Sequence, residues 1–210
     1  MSRTTLSCAA ATKAMVISVS DEAYIKEIEA VRREKDYFFK EDEDSPIPPR
    51  MREAFSGLAY YPVDPKFRVR ARLVRDSNPK RVVLATSKGI PREMIRVGVF
   101  EFEFEGAKQR LAAYKALPQP GHHHEDRSLF VPFRDGTSGK ETYGAARYLD
   151  IEERPADDYV IDSNLAYNPY CAYSDAYVCP FPPQENWLTV PIRAARRPSR
   201  CTPRPAAVWA

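Results

Sequence analysis

The stretch VFEFEFEGAKQRLAAYKA, from Val99 to Ala116, predicts a β-hairpin and with it the fold class. Three phenylalanines alternate with three glutamates before Gly106, so one face of the first strand is apolar and the other is charged. Gly106 lies at or beside the predicted turn. The apolar phase changes near Gly98 and Val99, which predicts a β-bulge that bends the strand.

Similar alternation occurs on both sides of this hairpin. In FRVRARL (67–73), apolar residues alternate with three arginines, which we assign to a solvated strand face rather than to phosphate binding. RVVLATSKG (81–89) predicts a second, short strand that is closed by a turn at Gly89. LFVPFRD (129–135) predicts a further strand, which returns as AARYLDIE (145–152) after the turn TSGKETYG.

A helix is predicted upstream of the strands, beginning at Ser20 and Asp21 and continuing to Phe38. Its apolar residues recur at three- and four-residue spacing, which makes it amphipathic: Tyr24, Ile25, Ile28 and Val31. We assign its charged side to a solvated face: Glu27, Arg32, Arg33 and Lys35. The run EDEDSPIPPR then ends the helix, because its prolines cannot continue it.

These patterns predict a mainly β fold. We expect a bent antiparallel sheet closing as a barrel or sandwich, with one N-terminal amphipathic helix covering one end or an open edge. The predicted organisation is a disordered segment at 1–19, a single domain at 20–195 and a disordered tail at 196–210. A chain of 210 residues is long enough for one domain with a substantial core.

Composition narrows the function classes. The formal charge of +3 comes from interleaved acids and bases, so no nucleic-acid partner is predicted. No apolar run approaches the ~20 residues that span a bilayer, so we expect a soluble protein with no membrane partner. Only seven residues precede Cys8, too few for an export signal, and the four cysteines are expected to be thiols in a reducing cytoplasm.

The three histidines lie together in the loop LPQPGHHHEDR: His122, His123 and His124. Adjacent side chains diverge and no second metal-binding motif lies at a fixed spacing, so we predict a mobile linker and no metal site. The glycines that flank Lys140 lack the P-loop spacing. No motif identifies a cofactor or an oligomeric state.

Several longer motifs together resemble one known family. They are FSGLAYYPVDPKFR, LFVPFRDGTSGKETYGAARYLD and NLAYNPYCAYSDAYVCPFPPQENWLTVPIRA, preceded by the stretch from Arg32 to Phe39 and by Ser45-Pro46. Over roughly residues 20–194 the chain is similar to the bacterial and archaeal domain of unknown function family 1684. The resemblance implies that one domain fills the chain and that NPYCAY and CPFPPQEN belong to a shared architecture. It implies no activity. The histidine run and the ending AARRPSRCTPRPAAVWA depart from the family pattern.

The candidate site residues come from the glycine- and cysteine-rich segments. They are Asp135, Lys140, Glu141, Tyr143, Arg147, Asn164, Asn168, Cys171 and Cys179. Cys171 and Cys179 have two interpretations: a thiol pair or soft-metal ligands facing a cavity with Asp162, or buried small apolar side chains. We favour the second, because C-x7-C lacks the close spacing of zinc knuckles and of thioredoxin-type centres.

Three functions remain open. The leading hypothesis is a small-molecule binding module whose ligand contacts Tyr143, Arg147, Asn164, Asn168 and neighbouring aromatic residues. The first alternative is a hydrolase or other enzyme. It would use Asp135, Lys140, Glu141 and Cys171 at the mouth of the barrel. The second alternative is a protein-interaction domain that uses an exposed sheet edge.

Overall fold

The computed structural model describes residues 19–117 and 128–197. It contains two helices, α1 (Val19–Glu41) and the short α2 (Pro49–Arg52). Six strands follow: β1 (Arg68–Leu84), β2 (Arg92–Phe104), β3 (Ala107–Ala116), β4 (Ser128–Phe133), β5 (Arg147–Glu152) and β6 (Asp158–Asp162). Short 3-10 turns cover Pro65–Phe67, Ser163–Leu165, Tyr170–Ala172 and Gln184–Asn186. The histidine loop and both outer chain ends lie outside the described residues.

The six strands form one antiparallel sheet in the order β5-β4-β3-β2-β1-β6, bent until it is nearly closed as a barrel. This confirms the predicted fold class. The hairpin of β2 and β3 turns at Glu105 and Gly106, both with positive φ. Inside the bent sheet, alternate residues of every strand form the main core, including Leu73, Phe100 and Leu129. Sheets of this kind bury one face because side chains alternate along each strand.

The bulge predicted near Gly98 is present. The register of β2 against β3 shifts between Arg96 and Gly98, and that of β1 against β2 shifts between Arg75 and Lys80. The second shift lies inside β1, where the sequence had predicted two separate strands. That prediction was wrong because Asp76 to Pro79 interrupt the alternation but not the path of the strand, which continues through the irregularity as one bent strand.

Helix α1 covers the gap between the two edge strands. At its start, Tyr24 donates a hydrogen bond to Asp162 at the end of β6 (2.6 Å). Near its end, Lys35 lies over the ring of Tyr167, which pairs with Tyr148 of β5. These two contacts place the helix beside the end of β6 and beside the segment that pairs with β5.

The buried stripe of α1 differs from the predicted one. Tyr24, Ile28 and Phe39 are buried, whereas Val31 is 41% exposed. Arg32 and Lys35 complete this stripe, because they continue the three- and four-residue spacing from Ile28 to Phe39. Their assignment to a solvated face was therefore wrong, since both partly buried side chains face the protein.

The described residues extend to Arg197, beyond the predicted domain boundary at 195. Arg196 is only 2% exposed, and its guanidinium lies 5.1–5.4 Å from the ring centroids of Phe39, Tyr60 and Tyr173. It donates hydrogen bonds to the hydroxyls of Tyr60 and Tyr173. A guanidinium stacks well on aromatic faces, so this residue belongs to the core and not to the tail.

Candidate functional site

A cavity of about 480 Å³ opens on the outer face of the sheet, beneath the loop that runs from Tyr167 to Pro180. Its floor is formed by β2, β3, β4 and β5, and α1 contributes one side chain. The residues that line it are Lys35, Arg92, Met94, Ala116, Ser128, Phe130, Tyr148, Asp150, Tyr167, Pro169, Tyr170, Tyr177, Val178, Cys179 and Pro180. This volume is within the range of small-molecule sites, which are typically ~300–1,000 Å³.

Strand register brings the floor residues together. Tyr114 pairs with Phe130 and Phe130 with Asp150, so these three side chains lie in a row on one face of the sheet. Met94 and Ala116 form a neighbouring pair on β2 and β3. The floor is thus largely apolar, with one carboxylate at its exposed end.

Lys35 is one of the two cations among the described residues that line the cavity, and Arg92 is the other. The Lys35 ammonium lies 4.4 Å from the centroid of the Tyr167 ring, a cation–π geometry. Burial, and to a smaller extent the charge of Arg196, lower the pKa of Lys35 to about 8 against an opposing effect of Asp150. Within the described chain, no carboxylate forms an ion pair with this ammonium.

Tyrosines make the walls. Tyr148 donates to the carbonyl oxygen of Pro180 (2.5 Å), and Tyr167 donates to the carboxylate of Asp150 (2.5 Å). The rings of Tyr170 and Tyr177 meet edge to face with centroids 5.1 Å apart. Burial is the main cause that raises the pKa of the Tyr148 and Tyr167 phenols, so both remain protonated near neutral pH. These rings give the cavity rigid aromatic surface.

Cys179 lies in the cavity wall and contacts Cys171. The backbone N–H of Cys171 donates to Cys179 Sγ (3.3 Å), and the Tyr143 hydroxyl lies 3.9 Å from Cys171 Sγ. The interaction between the two thiol side chains is the main cause that lowers the pKa of Cys179 to about 7 and raises that of Cys171. In the described chain, no three His, Cys, Asp or Glu side chains are grouped as metal ligands.

Of the nine predicted site residues, Cys179 lines the cavity, and Cys171 and Tyr143 lie directly behind it. The neighbouring positions of Cys171 and Cys179 are compatible with both interpretations of the two cysteines. Asp162 is elsewhere: its carboxylate accepts hydrogen bonds from the Tyr24 hydroxyl and from the backbone of Asn164.

Asp135 and Arg147 form a buried ion pair apart from the cavity, with both side chains 0% exposed (2.5 Å). Arg147 also donates to the carbonyl oxygens of Ala194 (2.7 Å) and Ile192 (2.9 Å). Asp135 accepts from the Thr137 hydroxyl and backbone N–H. All of these hydrogen bonds are made to other groups of the protein. Asp135 and Arg147 therefore form a structural ion pair.

The remaining predicted residues lie in other places. Glu141 pairs on the surface with Arg193 (2.8 Å), which lowers the carboxyl pKa, and Lys140 is exposed. The side-chain amide of Asn164 accepts a hydrogen bond from the backbone N–H of Asp64 and donates one to the carbonyl oxygen of Asp64. Its polar atoms are therefore engaged within the protein. The side-chain amide oxygen of Asn168 is buried and lacks a hydrogen-bond partner in the described chain.

Sequence reasoning missed Lys35, Tyr148, Asp150 and Tyr167. A signal for Lys35 was available, because it follows the buried stripe of α1 at helical spacing. For Tyr148 and Asp150 no such signal existed: they occupy the outer face of β5, and only the folded loop from Tyr167 to Pro180 turns that face into a cavity wall.

Neither helix in the described ranges has the length and apolar character to cross a membrane. No curated protein matches the chain. The chain is similar to the uncharacterized protein from gene locus rrnAC0354 of Haloarcula marismortui, solved by solution NMR. The two are 38% identical with a TM-score of 0.65, and the match covers 85% of this chain and 96% of that one. A family model described as protein of unknown function (DUF1684) matches residues 53–197. The chain therefore belongs to the DUF1684 family.

Proposed function

We propose that this protein binds a small organic anion with a planar apolar body in the cavity beneath the loop from Tyr167 to Pro180. The observation that carries the proposal is Lys35, an ammonium held at a partly buried, aromatic-walled cavity without a carboxylate ion pair in the described chain. Keeping a cation there costs desolvation free energy, which an anionic ligand would offset.

The other lining residues support the same ligand class. Phe130, Tyr148 and Tyr167 supply ring surface for a planar group. Arg92 is exposed at the rim and adds a second cation, against the single carboxylate of Asp150 among the described lining residues. Asp150 already accepts the Tyr167 hydroxyl. The balance favours anions over cations of equal size.

Three ligands that share one ring and differ in charge test this proposal: benzoate, benzyl alcohol and benzylamine. We expect benzoate to bind most tightly and benzylamine most weakly in isothermal titration calorimetry at neutral pH. Lys35→Met should weaken benzoate about 10- to 100-fold, since a hydrogen bond to a charged group contributes about 1.5–3 kcal/mol. The same variant should bind benzyl alcohol as the wild type does.

Lys40→Met is the matched control, because Lys40 is an exposed lysine on the same helix. It should leave all three affinities unchanged. Lys35→Met is expected to fold, since removing a partly buried charge relieves the desolvation that lowers the Lys35 pKa. The proposal is contradicted if benzylamine binds as tightly as benzoate, or if a folded Lys35→Met variant keeps wild-type benzoate affinity.

The affinity for benzoate should depend on pH. The bound anion favours the protonated form of Lys35. Benzoate affinity is therefore highest below the Lys35 pKa of about 8 and decreases as the pH rises through that value. Cys179, with a pKa of about 7, gains negative charge in the same range and adds to the fall. Benzoate affinity is measured from pH 6 to about 10 for both variants. Cys179→Ser should keep the fall in affinity near pH 8, whereas Lys35→Met should lose it. A step that survives in Lys35→Met would assign it to another group.

A further inference from the structure

Cys171 and Cys179 form a thiol pair whose two members differ in environment. Cys171 follows the start of the short turn Tyr170–Ala172, and the chain then folds back so that Cys179 Sγ accepts the Cys171 backbone N–H (3.3 Å). Seven residues separate the cysteines along the chain, yet the fold brings the Cys179 sulfur onto the Cys171 backbone.

The surroundings favour the thiolate on Cys179. The backbone N–H of Cys171 donates to its sulfur (3.3 Å), and the backbone of Tyr170 and the positive charge of Arg92 favour the thiolate in the same sense. Cys179 is buried from bulk solvent but lines the cavity, so a small molecule that enters the cavity reaches it. Cys171 is half-buried behind it, with the Tyr143 hydroxyl 3.9 Å from its sulfur.

We propose that Cys179 and Cys171 are a redox-active pair that a small hydroperoxide oxidises to a disulfide, with Cys179 as the attacking and Cys171 as the resolving thiol. This proposal does not rest on the binding of organic anions, because its reacting groups are the two thiols and not the ammonium of Lys35. It assigns a chemical modification to two residues that pack as small side chains in the reduced protein.

The reaction balances in two steps. The Cys179 thiolate attacks one oxygen of the hydroperoxide, an S–O bond forms, the O–O bond breaks, and the other oxygen leaves as alcohol or water after taking a proton. The Cys171 sulfur then attacks the Cys179 sulfenic acid, the S–S bond forms, and the S–O bond breaks with release of water. The dithiol loses two electrons and two protons, and an external thiol reductant reverses the reaction.

The test uses the full chain with Cys8→Ser and Cys201→Ser, so that only the pair remains. Stoichiometric hydrogen peroxide is added to the reduced protein, and the product is analysed by intact mass and by peptide mapping under non-reducing conditions. We expect loss of two hydrogen atoms, a peptide linked between Cys171 and Cys179, and full return to the dithiol with dithiothreitol.

Single variants assign the two roles. Cys171→Ser should stop at a sulfenic acid that dimedone traps on Cys179, and Cys179→Ser should react at least tenfold more slowly with hydrogen peroxide. Oxidation to sulfinic acid on both sulfurs without a disulfide would overturn the proposal. So would a Cys179→Ser variant that reacts at the wild-type rate. Peptide mapping of the unsubstituted pair decides the question even if a serine variant fails to fold.

Discussion

Asp135→Ala is expected to lower the free energy of unfolding by about 3–5 kcal/mol, because it leaves the Arg147 guanidinium buried without its carboxylate. Both side chains are 0% exposed, so water cannot replace the lost partner. The carboxylate also accepts hydrogen bonds from Thr137 and from the backbone of Ile192, which would lose their acceptor. The effect is measured by urea denaturation followed by tryptophan fluorescence.

A double-mutant cycle separates the ion pair from general damage. Arg147→Met alone should also destabilise strongly, whereas the double variant should lose clearly less than the sum of the two single losses. Arg193→Ala is the control, because it removes an arginine–carboxylate pair that is exposed on the surface, and its midpoint should match the wild type. Additive losses in the cycle would show that the pair is not coupled as the structure indicates.

Gly98→Ala should be nearly as damaging, at about 3 kcal/mol, the upper end of the usual range for overpacking. A Cβ at this position would lie 2.4 Å from the carbonyl oxygen of Val74 and 2.8 Å from the Cα of Arg75. Both atoms belong to the backbone of β1, so no side-chain rotation relieves the clash. The paired strands β1 and β2 would have to move apart at the bulge. The resulting loss of stability is measured as a fall in the thermal unfolding midpoint.

Gly106→Asn is the matched control for this glycine. Gly106 has a φ of +76°, which asparagine tolerates better than most residues, and nothing lies within 4 Å of the added Cβ. Its midpoint should fall far less than that of Gly98→Ala. If Gly98→Ala were as stable as the wild type, the close approach of β1 to β2 at the bulge would be wrong.

The sequence predicted what depends on local pattern. Alternating phenylalanines and glutamates marked β2, the glycine at the phase change marked the bulge, and the prolines after α1 marked its end. The long motifs identified the family. Each of these signals lies within one element or one turn, where period and residue type are sufficient.

The cavity could not be predicted in this way, because it depends on contacts between distant segments. Lys35 was assigned to solvent by its charge, although its position in the buried stripe of α1 indicated otherwise. Arg147 was selected because its segment is unusual in composition, but its guanidinium binds Asp135 and the carbonyl oxygens of the C-terminal segment. A charged residue that a fold buries is structural or functional according to which partners surround it.

The most direct test of the ligand site is a titration of the ¹⁵N-labelled protein with benzoate, monitored by the chemical shifts of backbone amides. We expect saturable shifts concentrated at Phe130, Asp150, Tyr167, Val178 and Cys179, with the dissociation constant found by calorimetry. Shifts confined to the exposed arginines of β1, Arg70 and Arg72, or shifts that never saturate, would contradict a binding site in this cavity.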